Sequence, residues 1–152
     1  MNTVKIVQKL DWPKLERLWG DIASEERPGD VEAEGRAIRE SRQSLAAFDY
    51  LDTDSFWLFA SEAEGRYVGY AAAARIPKAD ARIGFLYIDE LYVLSGYRSQ
   101  GHATRLLEMA VAHAMNLRLG GVRLLVEPEN AAARHLYNKL GFAERNLIFC
   151  ER

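Results

Sequence analysis

Apolar residues recur along this chain at two periods, near two and near 3.6, and the switches between them mark out its elements. Val4, Ile6 and Leu10 fall among polar neighbours at close to period two, which predicts a short first strand. Asp11 then offers an N-cap, and Pro13 is tolerated in a first helical turn because its missing N–H has no partner there. Leu15, Leu18, Trp19 and Ile22 follow at i, i+3, i+4 and i+7, one face of a helix. Arg27-Pro28-Gly29-Asp30 ends it, and Asp30 can open a second helix whose thin stripe of Ile38, Leu45 and Phe48 reads as a solvated covering element. After Asp54 the texture changes. Phe56 to Ala60 predicts a buried strand, Glu62-Ala63-Glu64-Gly65 a hairpin turn, and Arg66 to Ile76 a second strand that carries the small run Ala71 to Ala74. The longest strand signal, Ile83 to Leu94, comes next, so three antiparallel strands stand in succession. The period then lengthens: Leu106, Leu107, Ala110, Val111 and Ala114 share one helical face, stopped at Gly120-Gly121. Val122 to Val126 predicts a short buried strand. Asn130 caps a last helix with Ala133, Leu136, Tyr137 and Leu140 on one face, Gly141 terminates it, and Phe142 to Phe149 returns as a final strand. The string βααβββαβαβ predicts an α/β sandwich with helices packed on a mixed sheet.

Composition narrows the class of protein. The 152 residues hold 20 Lys and Arg against 22 Asp and Glu, a formal charge of −2, which argues against a dedicated nucleic-acid binder. Hydrophobic residues at 49% and charged residues at 28% place the chain among folding globular domains, and its length suits one domain over residues 1–152. The lone cysteine, Cys150, excludes an intrachain disulfide. The start of the chain lacks a basic segment followed by an apolar run, and no stretch is apolar for long enough to span a membrane. A cytoplasmic setting is the expectation. His102, His113 and His135 have neither i, i+4 pairing nor an adjacent cysteine, so no metal site is expected.

Candidate chemistry concentrates where the longest strand runs into the third helix. From Ser99 to Thr104 the backbone N–H groups would face outward at the positive end of that helix, a ready anion site. Gly101 has no Cβ to obstruct a phosphate, and Arg98 adds a charge, so a diphosphate is the natural ligand. Gly96 and Gly101 have the spacing of a Walker-type loop, but His102-Ala103 stand where Lys and Ser or Thr are needed. The three-glycine dinucleotide fingerprint does not occur.

Arg98-Ser99-Gln100-Gly101-His102-Ala103 resembles the Gln/Arg-x-x-Gly-x-Gly/Ala signature of the GNAT superfamily of N-acetyltransferases. Asn130-Ala131-Ala132-Ala133-Arg134-His135-Leu136-Tyr137-Asn138-Lys139-Leu140-Gly141-Phe142 is similar to that family's second signature segment. The resemblance implies a mixed, mostly antiparallel central sheet flanked by about four helices. It also implies transfer of an acetyl group from acetyl-CoA to a primary amine of a small molecule or peptide, without a metal. Pantetheine would add to the strand at Leu91, Tyr92 and Val93. The pyrophosphate would rest on Arg98, Ser99, Gln100, Gly101, His102, Ala103 and Thr104, with Asn130 and Tyr137 lining the opposite wall. Tyr137, roughly 10 Å along the helix from Asn130, is the candidate acid for the departing thiolate. A backbone N–H near Val93 could polarise the thioester carbonyl.

A protonated amine cannot attack, so a base or a proton path to water is needed. Glu90 is the first choice. Asp89, Tyr87 and ordered water stay open, and strand alternation would send Asp89 and Glu90 to opposite faces. Glu25, Glu26, Asp30, Glu32 and Glu34 gather acid on the first two helices, where a cationic acceptor would be drawn. A catalytically silent acyl-CoA sensor or interaction module is the alternative reading. A homodimer is compatible with either.

Overall fold

Thr3–Ile6 form β1, and a 3-10 turn over Lys9–Asp11 leads from it into the first helix, α1, at Trp12–Glu26; α2 is Ala33–Ala47. Strands β2 (Phe56–Ala63), β3 (Arg66–Ile76) and β4 (Phe85–Val93) follow, then a second 3-10 turn, Ser95–Tyr97, and α3, His102–Asn116. Val122–Leu124 make β5 and Ala131–Lys139 make α4. This computed structural model describes residues 2–152; Met1, the first residue of the expected domain, lies outside them. Among the described residues the strands form one sheet in the order β1-β2-β3-β4-β5. Every pairing is antiparallel except β4 with β5, which is parallel.

Alternation along the strands builds two cores. Leu58, Ala60, Val68, Tyr70 and Ala72 face Leu15, Leu18 and Ile22 of α1 on one side. Phe59, Ala71, Ala73, Leu86 and Ile88 face Leu106, Leu107, Ala110 and Ala114 of α3 on the other, with Leu136, Tyr137 and Leu140 of α4 packed against them. The alanine run is strand, as expected: three of its four residues are buried, and their small side chains let helices lie close on both faces. Glu64 and Gly65, with φ of 52° and 77°, make the two-residue turn between β2 and β3; left-handed backbone at both positions matches the twist of the paired strands. On α2 only Ala33 is buried, so that helix is indeed a solvated cover.

Several expectations change. Leu10 falls outside the first strand, exposed in the 3-10 turn. Asp11 stands at the N-cap position of α1 but does not cap through its side chain; its carboxylate instead takes the Lys5 ammonium at 2.6 Å and the Gln8 N–H at 3.0 Å. Strand β5 ends at Leu124, two residues short. The final strand over Phe142 to Phe149 does not form: Phe142 packs on the α3 side, Glu144 is held on α4 by both arms of Arg134 at 2.8 Å, and the chain then leaves the sheet. Leu147, Ile148 and Phe149 are 74%, 91% and 67% exposed.

Candidate active site

The site begins at a break in sheet pairing. Strand β5 pairs with β4 only through Leu86, Tyr87 and Ile88. Beyond Ile88, β4 is bonded to β3 alone, through Glu90, Leu91, Tyr92 and Val93. The side facing β5 is therefore an open strand edge, a place where an extended ligand can add its own hydrogen bonds. A register shift at Ala72/Ala73 leaves Asp89 without a partner on β3, and this bulge sits where the two strands part.

Expected alternation fails there for the same reason. One extra residue in β4 interrupts the period of two, and both Asp89 and Glu90 are exposed rather than facing opposite ways. The Glu90 carboxylate accepts a hydrogen bond from the Tyr70 hydroxyl at 2.9 Å. Tyr70 is itself buried, its ring edge-on to Trp19 with centroids 4.5 Å apart. Burial, with the nearby carboxylates Glu90, Glu26 and Asp89, pushes the Tyr70 phenol far above its ordinary range, so it stays a donor at any working pH. Tyr87, the other tyrosine expected near the site, lies within the stretch paired with β5.

At the end of β4 the chain enters the second 3-10 turn, which Glu25 of α1 pins down. Its carboxylate accepts from the Ser95 N–H at 2.9 Å, the Ser95 hydroxyl at 2.8 Å and the Tyr92 hydroxyl at 3.0 Å. Glu25 thus serves the loop rather than an acceptor. Asp30 and Glu32 are paired with Arg36, so of the five helix acids Glu26 is the one whose charge reaches Tyr70.

The loop itself turns through Ser99, at φ 61°, and Gly101, at φ 79°. Gly101 is the N-cap of α3, and no side chain caps that end. The first N–H groups of the helix, from Gly101 through Thr104, consequently have no capping partner, and the dipole makes them an anion site. Gln100 reaches back to the Gly96 carbonyl at 3.0 Å. Arg98 lies along β4 with its Nε on the Val93 carbonyl at 2.9 Å and its guanidinium 5.6 Å from the Tyr92 ring centre.

His102 turns away from the loop. It is 1% exposed, its Nδ1 lies 2.7 Å from the Oγ of the fully buried Ser61, and its Nε2 is buried without a partner. Only its main chain is left to meet a ligand. Burial, with a smaller contribution from Arg105, pulls the imidazole pKa below its ordinary 6.5. Arg105 escaped the motif reading because it lies inside α3, yet its Nη2 donates to the Gln100 carbonyl at 3.1 Å, across the loop.

Helix α4 packs on the α3 side of the sheet. Asn130 caps it, its Oδ1 accepting the Ala133 N–H at 3.1 Å, and Gly141 at φ 86° closes it, both as the sequence predicts. Tyr137 lies on its inner face, half-buried, with its ring 5.9 Å from that of Phe142. Burial raises its phenol above the usual range, which keeps it protonated. Among the described residues no cluster of metal-binding side chains forms, and no helix is long and apolar enough to cross a membrane.

Comparison with known proteins bears on the fold and the family. The chain spans about a third of the length of the curated relatives it matches. A mycothiol acetyltransferase of Rhodococcus opacus is 38% identical over 105 residues, covering 66% of this chain and 32% of that protein. One from Saccharomonospora viridis is 31% identical over 118 residues, covering 76% and 37%. Among solved structures, an aminoglycoside acetyltransferase from an uncultured soil sample, in complex with sisomicin, has a TM-score of 0.76 at 14% identity over 99% of this chain and 95% of that one. A ribosomal-protein-alanine N-acetyltransferase from Brucella melitensis has a TM-score of 0.70 at 16% identity, covering 100% and 99%. Both share the fold. The profile described as acetyltransferase (GNAT) family matches residues 12–142, from α1 to the turn after α4, and the chain belongs to that family.

Proposed function

We propose that the protein transfers the acetyl group of acetyl-CoA to a primary amine of a small molecule or peptide by direct attack. The observation that carries this reading is the parting of β4 from β5 at Ile88, which leaves an open strand edge leading to the uncapped N-terminus of α3. The edge suits the two amides of pantetheine and the helix end suits a diphosphate. Tyr137, on α4, belongs in this reading to the opposite wall.

In this reading the amine gives up a proton and its nitrogen attacks the thioester carbonyl. Glu90, oriented by Tyr70, is the base, directly or through water. The carbon–sulfur bond then breaks, and the thiolate takes the phenolic proton of Tyr137, which burial keeps protonated up to that point; a proton from solvent then restores the phenol. A main-chain N–H near Val93 steadies the carbonyl oxygen as it gains charge. Glu26, Asp89 and Glu90 around Tyr70 favour a cationic acceptor. Relatives named for mycothiol and a structural neighbour holding sisomicin support a small molecule.

Thiol release from acetyl-CoA, followed across a library of amines, tests the activity. Tyr137→Phe keeps the ring against Phe142 and removes the proton; turnover should fall about a hundredfold or more with CoA affinity unchanged. Unchanged turnover on a verified amine would remove Tyr137 from the mechanism. No release with any amine would favour a silent acyl-CoA binder.

A further inference from the structure

The loop arginine expected to meet the diphosphate is already engaged elsewhere. Arg98 spends its Nε on the Val93 carbonyl and lays its guanidinium near the Tyr92 ring, so it braces the end of β4. Arg105 is placed differently. A helical side chain leans towards the N-terminus over the residue four positions earlier, which here is Gly101. A Cβ built on Gly101 would lie 2.9 Å from the Arg105 Nη1, so the bare glycine leaves room for the guanidinium to rest directly on the turn. Nη2 uses one donor on the Gln100 carbonyl, and that bond also occupies an acceptor that would otherwise repel an anion at the turn. The Arg105 Nε is buried without a partner, and Nη1 makes no bond in its place.

We infer that Arg105 is the cation that binds the diphosphate of the donor, and that Arg98 shapes the strand edge instead. The inference rests on acetyl-CoA being the donor. A guanidinium and the free N–H groups of α3 then converge on one anion, and a planar fork fits two phosphate oxygens better than a point charge does.

Calorimetry on the full chain with CoA and, separately, with pantetheine tests it, because pantetheine has the same arm and no diphosphate. Arg105→Gln keeps a donor for the Gln100 carbonyl and removes the charge. It should weaken CoA about tenfold or more and leave pantetheine unchanged. Arg105→Lys should recover part of the loss. Arg98→Gln should weaken both ligands alike, since both need the β4 edge. Equal loss of CoA and pantetheine in Arg105→Gln, or no loss of CoA, would overturn the assignment while leaving acetyl-CoA as donor. Failure of the unaltered protein to bind CoA at all would overturn the donor reading and this inference together.

Discussion

Ser61 and His102 form a buried polar pair, Oγ to Nδ1 at 2.7 Å, that ties the first residue of α3 to β2 directly beneath the anion site. Ser61 lies at a register shift between β2 and β3, and His102 follows the left-handed Gly101. The pair therefore joins two irregular points of the backbone. Ser61→Ala leaves both imidazole nitrogens unpartnered in the core and should cost about 1–3 kcal/mol in urea unfolding. A change below about 0.5 kcal/mol, the range of an ordinary surface substitution, would mean the bond holds nothing in place.

Protonation of the α3 histidines should couple stability to mild acid. Burial lowers the folded-state pKa of His102 and of His113, which packs against Trp57 and Phe59, below the ordinary 6.5. Above 6.5 neither folded nor unfolded chain holds these protons. As pH falls below 6.5 the unfolded chain takes them up first, so stability declines until each folded-state pKa is passed, then levels. Asp11, Glu16 and Glu25, with folded pKa values lowered by Lys5, by Arg42 and by Ser95 against the opposing effect of burial, lose their contributions at lower pH, below their ordinary 3.8 to 4.5. Denaturant melts from pH 7.5 to 3 should show two declines, and replacing His113 with Phe should shrink the upper one. A flat profile between pH 7 and 5 would contradict this.

Glu90→Gln should separate its structural bond from its chemistry. The amide oxygen can still accept from Tyr70, so the fold should hold, while removal of a general base typically costs on the order of a hundredfold or more in rate. A variant with unaltered rate would assign the proton to water.

Gly69→Ala should damage the open edge from behind. A Cβ there would meet the Tyr92 carbonyl oxygen at 2.7 Å and Val93 Cγ2 at 3.0 Å, and the obstructing carbonyl is backbone, so β4 has to shift. A loss of about 1–3 kcal/mol and weaker CoA binding are expected, read by thermal melting and calorimetry. An intact melting temperature would show that β4 yields freely at this point.

Periodicity and short-range chemistry are local properties, and they carried most of the fold by themselves. Helical faces such as Leu15, Leu18 and Ile22, the Glu64-Gly65 turn, the Asn130 cap and the glycine-opened anion loop each depend on residues a few positions apart, so the chain states them directly. The relations that make a site depend on partners far apart in sequence. The bulge that leaves Asp89 unpaired is set by where β3 meets β4, Glu25 reaches Ser95 across the fold, and Ser61 finds His102 only because β2 packs under α3. The segment from Phe142 to Phe149 ends in three apolar residues that invite a strand, yet a strand requires an edge, and with Glu144 fastened to α4 this segment does not reach one. Tertiary contact likewise set the direction of the two arginines: Arg98 stands in the motif but turns to Val93, while helix geometry brings Arg105 back over Gly101. Local sequence thus set the elements, and packing set where the side chains around the candidate site point, because a side chain's direction is fixed by the surfaces that meet around it.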